Sequence, residues 1–310
     1  MSFSLTYLVK EYAIKRSLLA EVNERSSHTT PTPHGGGVAI AITWFLGLIY
    51  LYISNEIVPQ LFYALIVGII LALVSFLDDI YELSAKLRLV VQATVAVVGL
   101  YFLGGFEILN FGLFQITSTL FNNIFAVILI MWFINLYNFL DGINGYAGSE
   151  AVFLAFAGFL LFGDNHFLIL LVSVLGFLYW NWNQAKIFMG DVGSTLLGYN
   201  VAIFTIYYAN QDSSNFWVWI VLFSLFWFDA TITLLKRALN REVLSQAHKK
   251  HLYQRLTQHG WSHYKVTNWA IIFNSSLLAM VYFVSNIFLV FILSLMLLYA
   301  IMRVIEKMRN

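Results

Sequence analysis

Carboxylate and amide side chains occur in three short segments of this sequence that are otherwise apolar or glycine-rich. Asp78 and Asp79 end the apolar run LALVSFLDD, and Asp191 stands between two glycines in KIFMGDVGSTLLGY. The third segment, INLYNFLDGINGYAG, contains Asn135, Asn138, Asp141 and Asn144. Oxygen ligands of this kind suit Mg²⁺, which proteins usually hold through one or two carboxylates together with substrate phosphates. The three segments therefore predict a magnesium site that acts on a phosphate compound.

Groups that can bind phosphate accompany these acids. Lys86 and Arg88 follow the Asp pair within one short loop, and the apolar stretch after Asp191 opens with Ser194 and Thr195. The free N–H groups at such a helix start favour an anion. The glycine run GGGV at 35–38 is a weaker sign of a loop that faces phosphate or substrate. Solvated loop acids are the plain alternative for any single carboxylate, but they do not explain the whole set.

A basic segment, SQAHKKHLYQRL, adds two histidines and an arginine. On a helix, His248, His251 and Arg255 would share one face. Two alternatives stay open: a zinc site, although a chain without cysteine shows no further ligands, and a basic helix attracted to anionic lipid headgroups. Asp229, in an apolar run, is a functional candidate or the partner of Lys236.

The elements that position these residues are membrane-spanning helices. Sixty per cent of the 310 residues are hydrophobic and only 11% are charged, against roughly a quarter charged in soluble domains. We predict an all-α, polytopic integral membrane helix bundle that forms one domain over 1–310, with about ten transmembrane helices. The predicted spans are 38–54, 58–77, 88–104, 120–137, 147–162, 166–183, 194–209, 216–235, 266–283 and 286–303.

The basic residues predict which way these spans are oriented. When the spans are threaded alternately, all 17 Lys and Arg fall in one set of connections, which the positive-inside rule makes cytoplasmic together with both termini. That set includes a loop or helix at 236–265. The segment 1–24 is predicted to be an amphipathic surface helix or a reduced first helix. Residues 106–118 alternate apolar and polar residues and predict a short β-hairpin on the far side.

Five motifs in order resemble a known family. TPTPHGGG, FLDDIYELSAKLRLVVQ, NLYNFLDGINGYAG, KIFMGDVGSTLLG and HKKHLYQRL are similar to those of the polyprenyl-phosphate N-acetylhexosamine-1-phosphate transferases. The resemblance implies an enzyme of the bacterial inner (plasma) membrane. It would transfer a sugar 1-phosphate from a UDP-sugar to a polyprenyl phosphate such as undecaprenyl phosphate and release UMP. It also implies Mg²⁺, with Mn²⁺ able to substitute, a cytoplasmic active site and frequent homodimers. No nucleic-acid partner is expected.

The resemblance also implies roles for individual residues. Asp191 would be the main Mg²⁺ ligand and Asn138 the second, whereas Asp78 and Asp79 would lie beside the polyprenyl phosphate. The remaining positions implied to bind substrate are Lys86 for the lipid phosphate, Asp141 and Asn144 for the nucleotide sugar, and His248, His251 and Arg255 for the donor's phosphates or sugar. His34 stands where many relatives have arginine, so a titratable group replaces a permanent cation there.

The branch of the family sets the expected sugar. The segment HKKH lacks the three-histidine cluster of the phospho-MurNAc-pentapeptide translocases, which favours initiators of O-antigen, teichoic-acid or capsule synthesis. The expected donor carries GlcNAc or a 6-deoxy-HexNAc such as FucNAc or QuiNAc. Phospho-MurNAc-pentapeptide transfer in peptidoglycan synthesis is the alternative. A cation-coupled transporter is the alternative of another class, but its ionisable residues would lie near the bilayer midplane.

Overall fold

The computed structural model describes residues 1–16, 19–20, 31–81, 83–244, 246 and 248–308, and it shows a bundle of α-helices. In chain order the helices are α1 (Ser2–Lys15), α2 (Gly37–Ile53), α3 (Pro59–Ile66), α4 (Gly68–Tyr81), α5 (Ala85–Phe102), α6 (Thr119–Leu140), α7 (Tyr146–Phe162), α8 (Asn165–Asn181), α9 (Asp191–Gln211), α10 (Asn215–Leu222), α11 (Ser224–Leu239), α12 (Leu252–Gln258), α13 (His263–Phe283) and α14 (Ile287–Lys307). This confirms the all-α prediction, and each predicted span coincides with one helix or with two successive helices.

Helix length and composition support a multi-pass membrane protein. Among the described residues, five helical segments are long and apolar enough to cross a membrane, namely Pro59–Tyr81, α5, α6, α13 and α14. The pair α10 and α11, bent by 72°, raises this number to six if it is one span. The helices α2, α7 and α8 are apolar but shorter. These criteria therefore support fewer spans than the ten that hydropathy alone predicts.

Helix α9 lies at the centre of the bundle, which explains why it is less apolar than its neighbours. Every residue from Val192 to Ile206 is buried, because α9 packs on α2, α4 and α6. A helix surrounded by other helices does not need a lipid-facing apolar surface. Its first residue is Asp191, so the central helix delivers that carboxylate directly to the end of the bundle.

The glycine run at 35–37 allows α2 to approach α9 closely. A Cβ on Gly37 would lie 2.2 Å from the backbone nitrogen of Gly193, so only glycine fits there. The N–H of Gly36 donates to the Phe188 carbonyl and that of Gly37 to the Met189 carbonyl, at 2.9 and 2.8 Å. These two donors are therefore unavailable to a phosphate, because they join the start of α2 to the loop before α9. A substrate-facing role for the rest of the run stays a prediction.

Two short hairpins complete the secondary structure of the described residues. Strands β3 (Leu109–Asn110) and β4 (Gln115–Ile116) pair antiparallel and confirm the hairpin predicted within 106–118. The Trp217 indole N–H donates to the Asn110 carbonyl and ties this hairpin to α10. Strands β1 (Leu19–Ala20) and β2 (Thr32–Pro33) form a second hairpin that the sequence pattern did not predict.

Helix α1 packs against α8 within the bundle. The Ser2 hydroxyl donates to the Ser173 carbonyl near the middle of α8, and the Trp180 indole N–H donates to the Phe3 carbonyl. Ser2 and Thr6 are buried. This packing favours a reduced first helix over an amphipathic helix lying flat on the membrane; the rest of the predicted segment 1–24 lies largely outside the described residues.

Candidate active site

A cavity of about 440 Å³ brings together most of the residues that the motifs singled out. It lies among the ends of α4, α5, α6 and α9, and its other lining residues include Leu244, Gln246, His248, His251 and Gln254. The predicted site residues that line it are Asp78, Asn138, Asp191, His248 and His251. The cavity therefore joins residues from four distant parts of the chain, as the clustering of their loops at one membrane face predicted.

Arg88 joins two of the carboxylates. Its Nη1 donates to Asp78 Oδ2 at 2.9 Å and lies 4.0 Å from Asp191 Oδ2. The second oxygen of Asp78 accepts the Leu83 N–H at 2.7 Å, so this carboxylate is fixed by two donors. The Arg88 side chain remains 44% exposed, so it can still contact a substrate. Sequence reasoning named Arg88 as a cation near the Asp pair but gave the phosphate-binding role to Lys86.

Lys86 lies outside the cavity. It is on the first turn of α5 and exposed, whereas Ala85, Arg88 and Leu89 of the same helix line the cavity. Because α5 begins at Ala85, positions 85, 88 and 89 share a face and position 86 points elsewhere. The cation that the structure places beside the carboxylates is Arg88, and a phosphate-binding role for Lys86 stays a prediction.

Asp79 lies against the backbone at the start of α9. A Cβ on Gly190 would lie 3.3 Å from Asp79 Oδ2, and the Asp79 carboxylate interacts with the backbone of Asp191. A carboxylate at this position complements the positive end of the α9 dipole. Gly190 has φ of 75° and ψ of 173°, a conformation that is essentially restricted to glycine. Asp79 and Gly190 together fix the direction in which α9 begins.

Asn138 connects α6 to the start of α9. Its Oδ1 accepts the Ser194 hydroxyl at 2.9 Å, and its side chain also interacts with the Asp191 carboxylate. A carbonyl oxygen has two lone pairs and can accept one hydrogen bond while it ligates a metal. The Thr195 hydroxyl donates to the Asp191 carbonyl at 2.6 Å, so the hydroxyls of Ser194 and Thr195 hold the helix start and are not directed at an anion.

The oxygen donors of the cavity fit Mg²⁺. Asp78, Asp191 and Asn138 line it together, whereas no group of three or more His, Cys, Asp or Glu side chains within the described part of the chain is arranged to hold a metal alone. This incomplete set is what Mg²⁺ requires when substrate phosphates supply the remaining oxygens. Asp191 and Asn138 are the residues that would hold the ion.

Asp141 and Asn144 occupy the loop after α6 and do not line the cavity. Burial, with a further contribution from Asp191, raises the pKa of Asp141 to about 7. The Asn144 carbonyl accepts the Thr267 hydroxyl at 3.0 Å, and the Asn144 N–H approaches His263 Nδ1 at 3.4 Å. The loop is thereby held against α13. Asn144 Oδ1 is buried without a hydrogen-bond partner among the described residues, which fits its predicted place in a nucleotide-sugar pocket.

The histidine segment is not helical where the spacing predicted a helix. Helix α12 begins at Leu252, so His248 and His251 precede it and do not share a helix face with Arg255. Arg255 points away from the two histidines; its Nε donates to the Lys250 carbonyl at 2.9 Å and Nη1 lies 3.9 Å from Glu306. The helical prediction for residues 248–251 is therefore wrong, and of the three predicted binding residues only His248 and His251 reach the cavity.

The buried Asp229 carboxylate explains where α12 begins. Both of its oxygens accept the Leu252 N–H at 2.9 Å, and Oδ1 lies 3.4 Å from His251 Nδ1. Asp229 therefore caps α12 and anchors His251. Lys236, the alternative partner that the spacing suggested, instead forms an ion pair with Glu306.

His248 presents a neutral imidazole to the cavity. Burial, followed by the nearby charges of His251 and Arg237, lowers the pKa of His248 to about 4. Its Nδ1 accepts the Lys250 N–H at 3.2 Å, so in the neutral ring the hydrogen is on Nε2. That N–H is available to a phosphate oxygen. His34 lies near Asp191, which raises its pKa, but the larger effect of burial leaves the pKa lowered.

One wall of the cavity is apolar. It is formed by Leu71 and Val74 of α4, Leu89 and Val91 of α5 and Leu234 of α11. Between this wall and the acids, Asn135 Nδ2 donates to Gln92 Oε1 at 2.7 Å, linking α6 to α5. The sequence pattern did not reveal Gln92, because one amide in an apolar helix carries no motif. The cavity thus combines charged groups with a surface suited to hydrocarbon.

A membrane-spanning helix bundle with this combination of groups is typical of enzymes that act on phosphate-bearing lipids. Residues 61–209 match the model of glycosyl transferase family 4. The chain is 31% identical over 277 residues to the probable undecaprenyl-phosphate N-acetylglucosaminyl 1-phosphate transferase of Bacillus subtilis, covering 84% of this chain and 75% of that protein. The chain belongs to glycosyl transferase family 4 and is a membrane phosphoglycosyltransferase, which confirms the family that its motifs predicted.

Two further relatives show how similarity varies within the family. The chain is 30% identical over 217 residues to the undecaprenyl-phosphate alpha-N-acetylglucosaminyl 1-phosphate transferase of Thermotoga maritima, covering 68% of this chain and 64% of that protein. It is 28% identical over 207 residues to the phospho-N-acetylmuramoyl-pentapeptide-transferase of Lactococcus lactis subsp. cremoris, covering 61% of this chain and 63% of that protein. The chain therefore spans just under two thirds of these two proteins.

Proposed function

We propose that this protein transfers N-acetylglucosamine 1-phosphate from UDP-GlcNAc to undecaprenyl phosphate, releasing UMP and initiating a lipid-linked cell-surface polysaccharide. The names of the Bacillus and Thermotoga relatives support both the sugar and the lipid. The observation that carries the proposal is the single cavity in which Asp78, Arg88 and Asp191 lie beside the apolar wall. A prenyl phosphate needs a charged surface for its phosphate and an apolar surface for its hydrocarbon chain, and this cavity has both.

The chain's residues have separable roles in this reaction. Arg88 would contact the acceptor phosphate, because it is held by Asp78 and remains exposed to the cavity. His248 Nε2–H would donate to the donor pyrophosphate. Bound Mg²⁺, held by Asp191 and Asn138, supplies positive charge that offsets the donor's phosphates. The second pKa of a phosphate monoester is about 6, so the acceptor is largely ionised at neutral pH and Asp79 need only orient it or take a residual proton.

The orientation and location of the protein belong to the same proposal. All 17 Lys and Arg lie in one set of connections, which supports a cytoplasmic catalytic face and cytoplasmic termini. The proposed location is the plasma membrane of a bacterium, and an O-antigen or related polysaccharide would be the product. A homodimer stays a prediction from the family resemblance.

The test is UMP release by the purified protein with undecaprenyl phosphate and Mg²⁺. UDP-GlcNAc, UDP-GalNAc, a UDP-linked 6-deoxy-HexNAc and UDP-MurNAc-pentapeptide are compared as donors. Preference for UDP-GlcNAc supports the proposal, and preference for the pentapeptide donor would move the protein to the peptidoglycan branch. Activity that is unchanged in EDTA would contradict the magnesium assignment.

The substitution Asp191→Asn tests whether Asp191 holds the metal ion. We expect turnover to fall about 100-fold or more, because the amide keeps the shape of the side chain but removes the charge that would hold the metal. Glu107→Gln makes the same chemical change at an exposed position near the far-side hairpin and should leave turnover unaltered. Normal turnover of Asp191→Asn at saturating Mg²⁺ would show that Asp191 does not hold the ion.

A further inference from the structure

A second cavity lies next to the candidate active site, on the other side of the 240–251 loop. Its volume is about 740 Å³, and α11, α12, α14 and that loop enclose it. Among the described residues that line it, the charged side chains are Lys236, Arg237, Lys249, Lys250, Arg255, Glu242 and Glu306. Five cations against two carboxylates leave a net charge of three positive. This space, called the basic cavity below, therefore suits an anion.

The two carboxylates of the basic cavity do not neutralise its cations. Glu242 is shared by Lys250, at 2.5 Å, and by Arg237, at 3.1 Å. In the same way Glu306 is shared by Lys236 and Arg255. A single carboxylate between two cations leaves a positive excess at each pair, and the electrostatic attraction for an anion persists.

An apolar groove adjoins the basic cavity. It has a volume of about 610 Å³ and runs between α11, α13 and α14, lined mainly by Leu, Ile, Val, Phe and Trp side chains. Ile305 lines both spaces, and a small void of about 10 Å³ between Asp229, Leu252 and Lys236 lies between them. Trp261 and Trp269 line the groove, and Lys265 lies 3.8 Å from the centre of the Trp261 ring. Tryptophan beside lysine is typical of the level of lipid headgroups.

The 240–251 loop forms a shared wall between the basic cavity and the candidate active site. Gln246 and His248 line the active-site cavity, whereas Glu242 and Lys250 line the basic cavity. Arg237 holds the loop by donating to the carbonyls of Val243 and Gln246, at 2.6 and 3.0 Å. An anion that binds Lys250 would therefore order the same loop that carries His248.

We propose that the basic cavity and the apolar groove together bind one anionic phospholipid, with its phosphate among the lysines and one acyl chain along α13 and α14. The site is separate from the catalytic cavity, and its occupant stabilises the 240–251 loop. The proposal depends on the charge and the contiguity of the two spaces. It does not require the transferase assignment, because lipid binding is measured without turnover.

The experiment measures lipid retention by the full-length protein. Protein reconstituted in nanodiscs of phosphatidylcholine with 20% phosphatidylglycerol is released into detergent and analysed by native mass spectrometry, and its melting temperature is followed as phosphatidylglycerol is added back. We expect one retained phosphatidylglycerol per chain and a saturable rise in melting temperature. Phosphatidylcholine alone should give neither result.

Two variants test the two halves of the site. Lys249→Gln/Lys250→Gln should weaken phosphatidylglycerol binding roughly tenfold or more, because each lysine near the headgroup contributes to anionic lipid binding. Ala300→Phe fills part of the apolar groove without changing charge and should also weaken binding. Lys307→Gln removes an exposed lysine on α14 that does not line either space and should retain the lipid.

The same measurements can overturn the proposal. Equal retention by all variants, or equal loss in Lys307→Gln, would show that phosphatidylglycerol binds by general surface charge. Loss in only one of the two test variants would show that the two spaces do not form one site. If inorganic phosphate at millimolar concentration raised the melting temperature of delipidated protein as much as phosphatidylglycerol does, the ligand would be a free anion and the lipid assignment would fail.

Discussion

Asp78 and Asp79 are adjacent in sequence but differ in what their oxygens contact. Both oxygens of Asp78 are occupied, one by the Leu83 N–H and one by Arg88. Asp79 lies against Gly190 and the backbone at the start of α9. Hydrogen bonds to a charged group are the stronger kind, so Asp78 is committed to holding Arg88. The two acids therefore differ in role: Asp78 positions a cation, whereas Asp79 lies beside the start of α9.

The substitution Asp78→Asn tests this division. We expect kcat/KM to fall about 10- to 100-fold, because the charge-assisted hydrogen bond that orients Arg88 is lost. If Asp78 acts by positioning Arg88 and not by taking a proton, the ratio of variant to wild-type kcat/KM should stay constant from pH 6 to pH 9. The measurement is UMP release across that range, with the exposed Glu107→Gln as the control.

A variant that recovered at high pH would contradict this view. Recovery would mean that hydroxide or an ionised acceptor replaces a proton-accepting Asp78. A pH-dependent defect in Asp79→Asn, with none in Asp78→Asn, would instead assign proton removal to Asp79.

The raised pKa of Asp141 predicts that the stability of the folded protein depends on pH. Its pKa is raised from the ordinary 3.8 to about 7, so the folded state holds this proton more tightly than the unfolded chain does. The resulting contribution to stability is present below about pH 4 and is lost as pH rises through about 7. Asp141→Asn removes this loss. The stability of the variant should therefore increase relative to that of the wild type as pH rises from 5 to 8.

The measurement for Asp141 is the melting temperature of both proteins in detergent with EDTA. We expect the difference between variant and wild type to widen by a few degrees toward pH 8, on the order of the shift that one buried group produces. Groups that do not interact with Asp141 titrate equally in both proteins and cancel in the difference. A difference that stayed constant with pH would show that Asp141 keeps an ordinary pKa.

At the scale of elements, the start of α9 depends on backbone geometry that only Gly190 allows. Gly190→Ala would strain a φ of 75° and ψ of 173° and bring a methyl group to 3.3 Å from Asp79. We expect turnover to fall at least tenfold in Gly190→Ala, because Asp79 and Asp191 would both shift. The measurement is kcat for UMP release beside the melting temperature.

Gly163 supplies the control for this substitution. It also has a positive φ, 78°, but a Cβ there would meet nothing within 4 Å. Gly163→Ala should therefore lower the melting temperature without a specific loss of turnover. Equal loss of turnover in the two variants would show that backbone strain, and not the position of Asp79, accounts for the defect.

The sequence predicted the helices, the hairpin and the clustering of the acidic loops well, but it did not predict which individual side chains meet. Hydrophobic runs identified the helices, and the alternation within 106–118 identified the hairpin, because both patterns are local. The helical spacing of His248, His251 and Arg255 failed, since Asp229 from a different helix caps α12 at Leu252. The sequence alone does not distinguish Arg88 from Lys86, because both are cations close to the Asp pair. The residue at which α5 begins determines that Arg88 faces the cavity.

At the scale of the whole molecule, the bundle separates two ends of different chemistry. The candidate active site, the basic cavity and the 240–251 loop lie at one end, and the β3–β4 hairpin lies on the far side with the α9–α10 connection. Charged substrates need access from water, while the prenyl chain needs access from lipid. A site at helix ends beside an apolar wall satisfies both requirements, which a buried midplane site of the transporter kind would not.

The orientation of the bundle can be measured because the chain contains no cysteine. Leu113→Cys places a thiol at the tip of the far-side hairpin, where the leucine is 98% exposed, and Leu239→Cys places one at the end of α11, where it is 82% exposed.

We expect a membrane-impermeant maleimide to label Leu113→Cys in intact spheroplasts. Leu239→Cys should be labelled only after the membrane is permeabilised, because all Lys and Arg fall on its side when the ten predicted spans are threaded alternately. The unsubstituted protein is the control, since it has no thiol. Labelling of Leu239→Cys alone in intact spheroplasts would place the carboxylate cavity outside the cell, away from a cytoplasmic nucleotide-sugar donor, and would contradict both the charge rule and the proposed reaction.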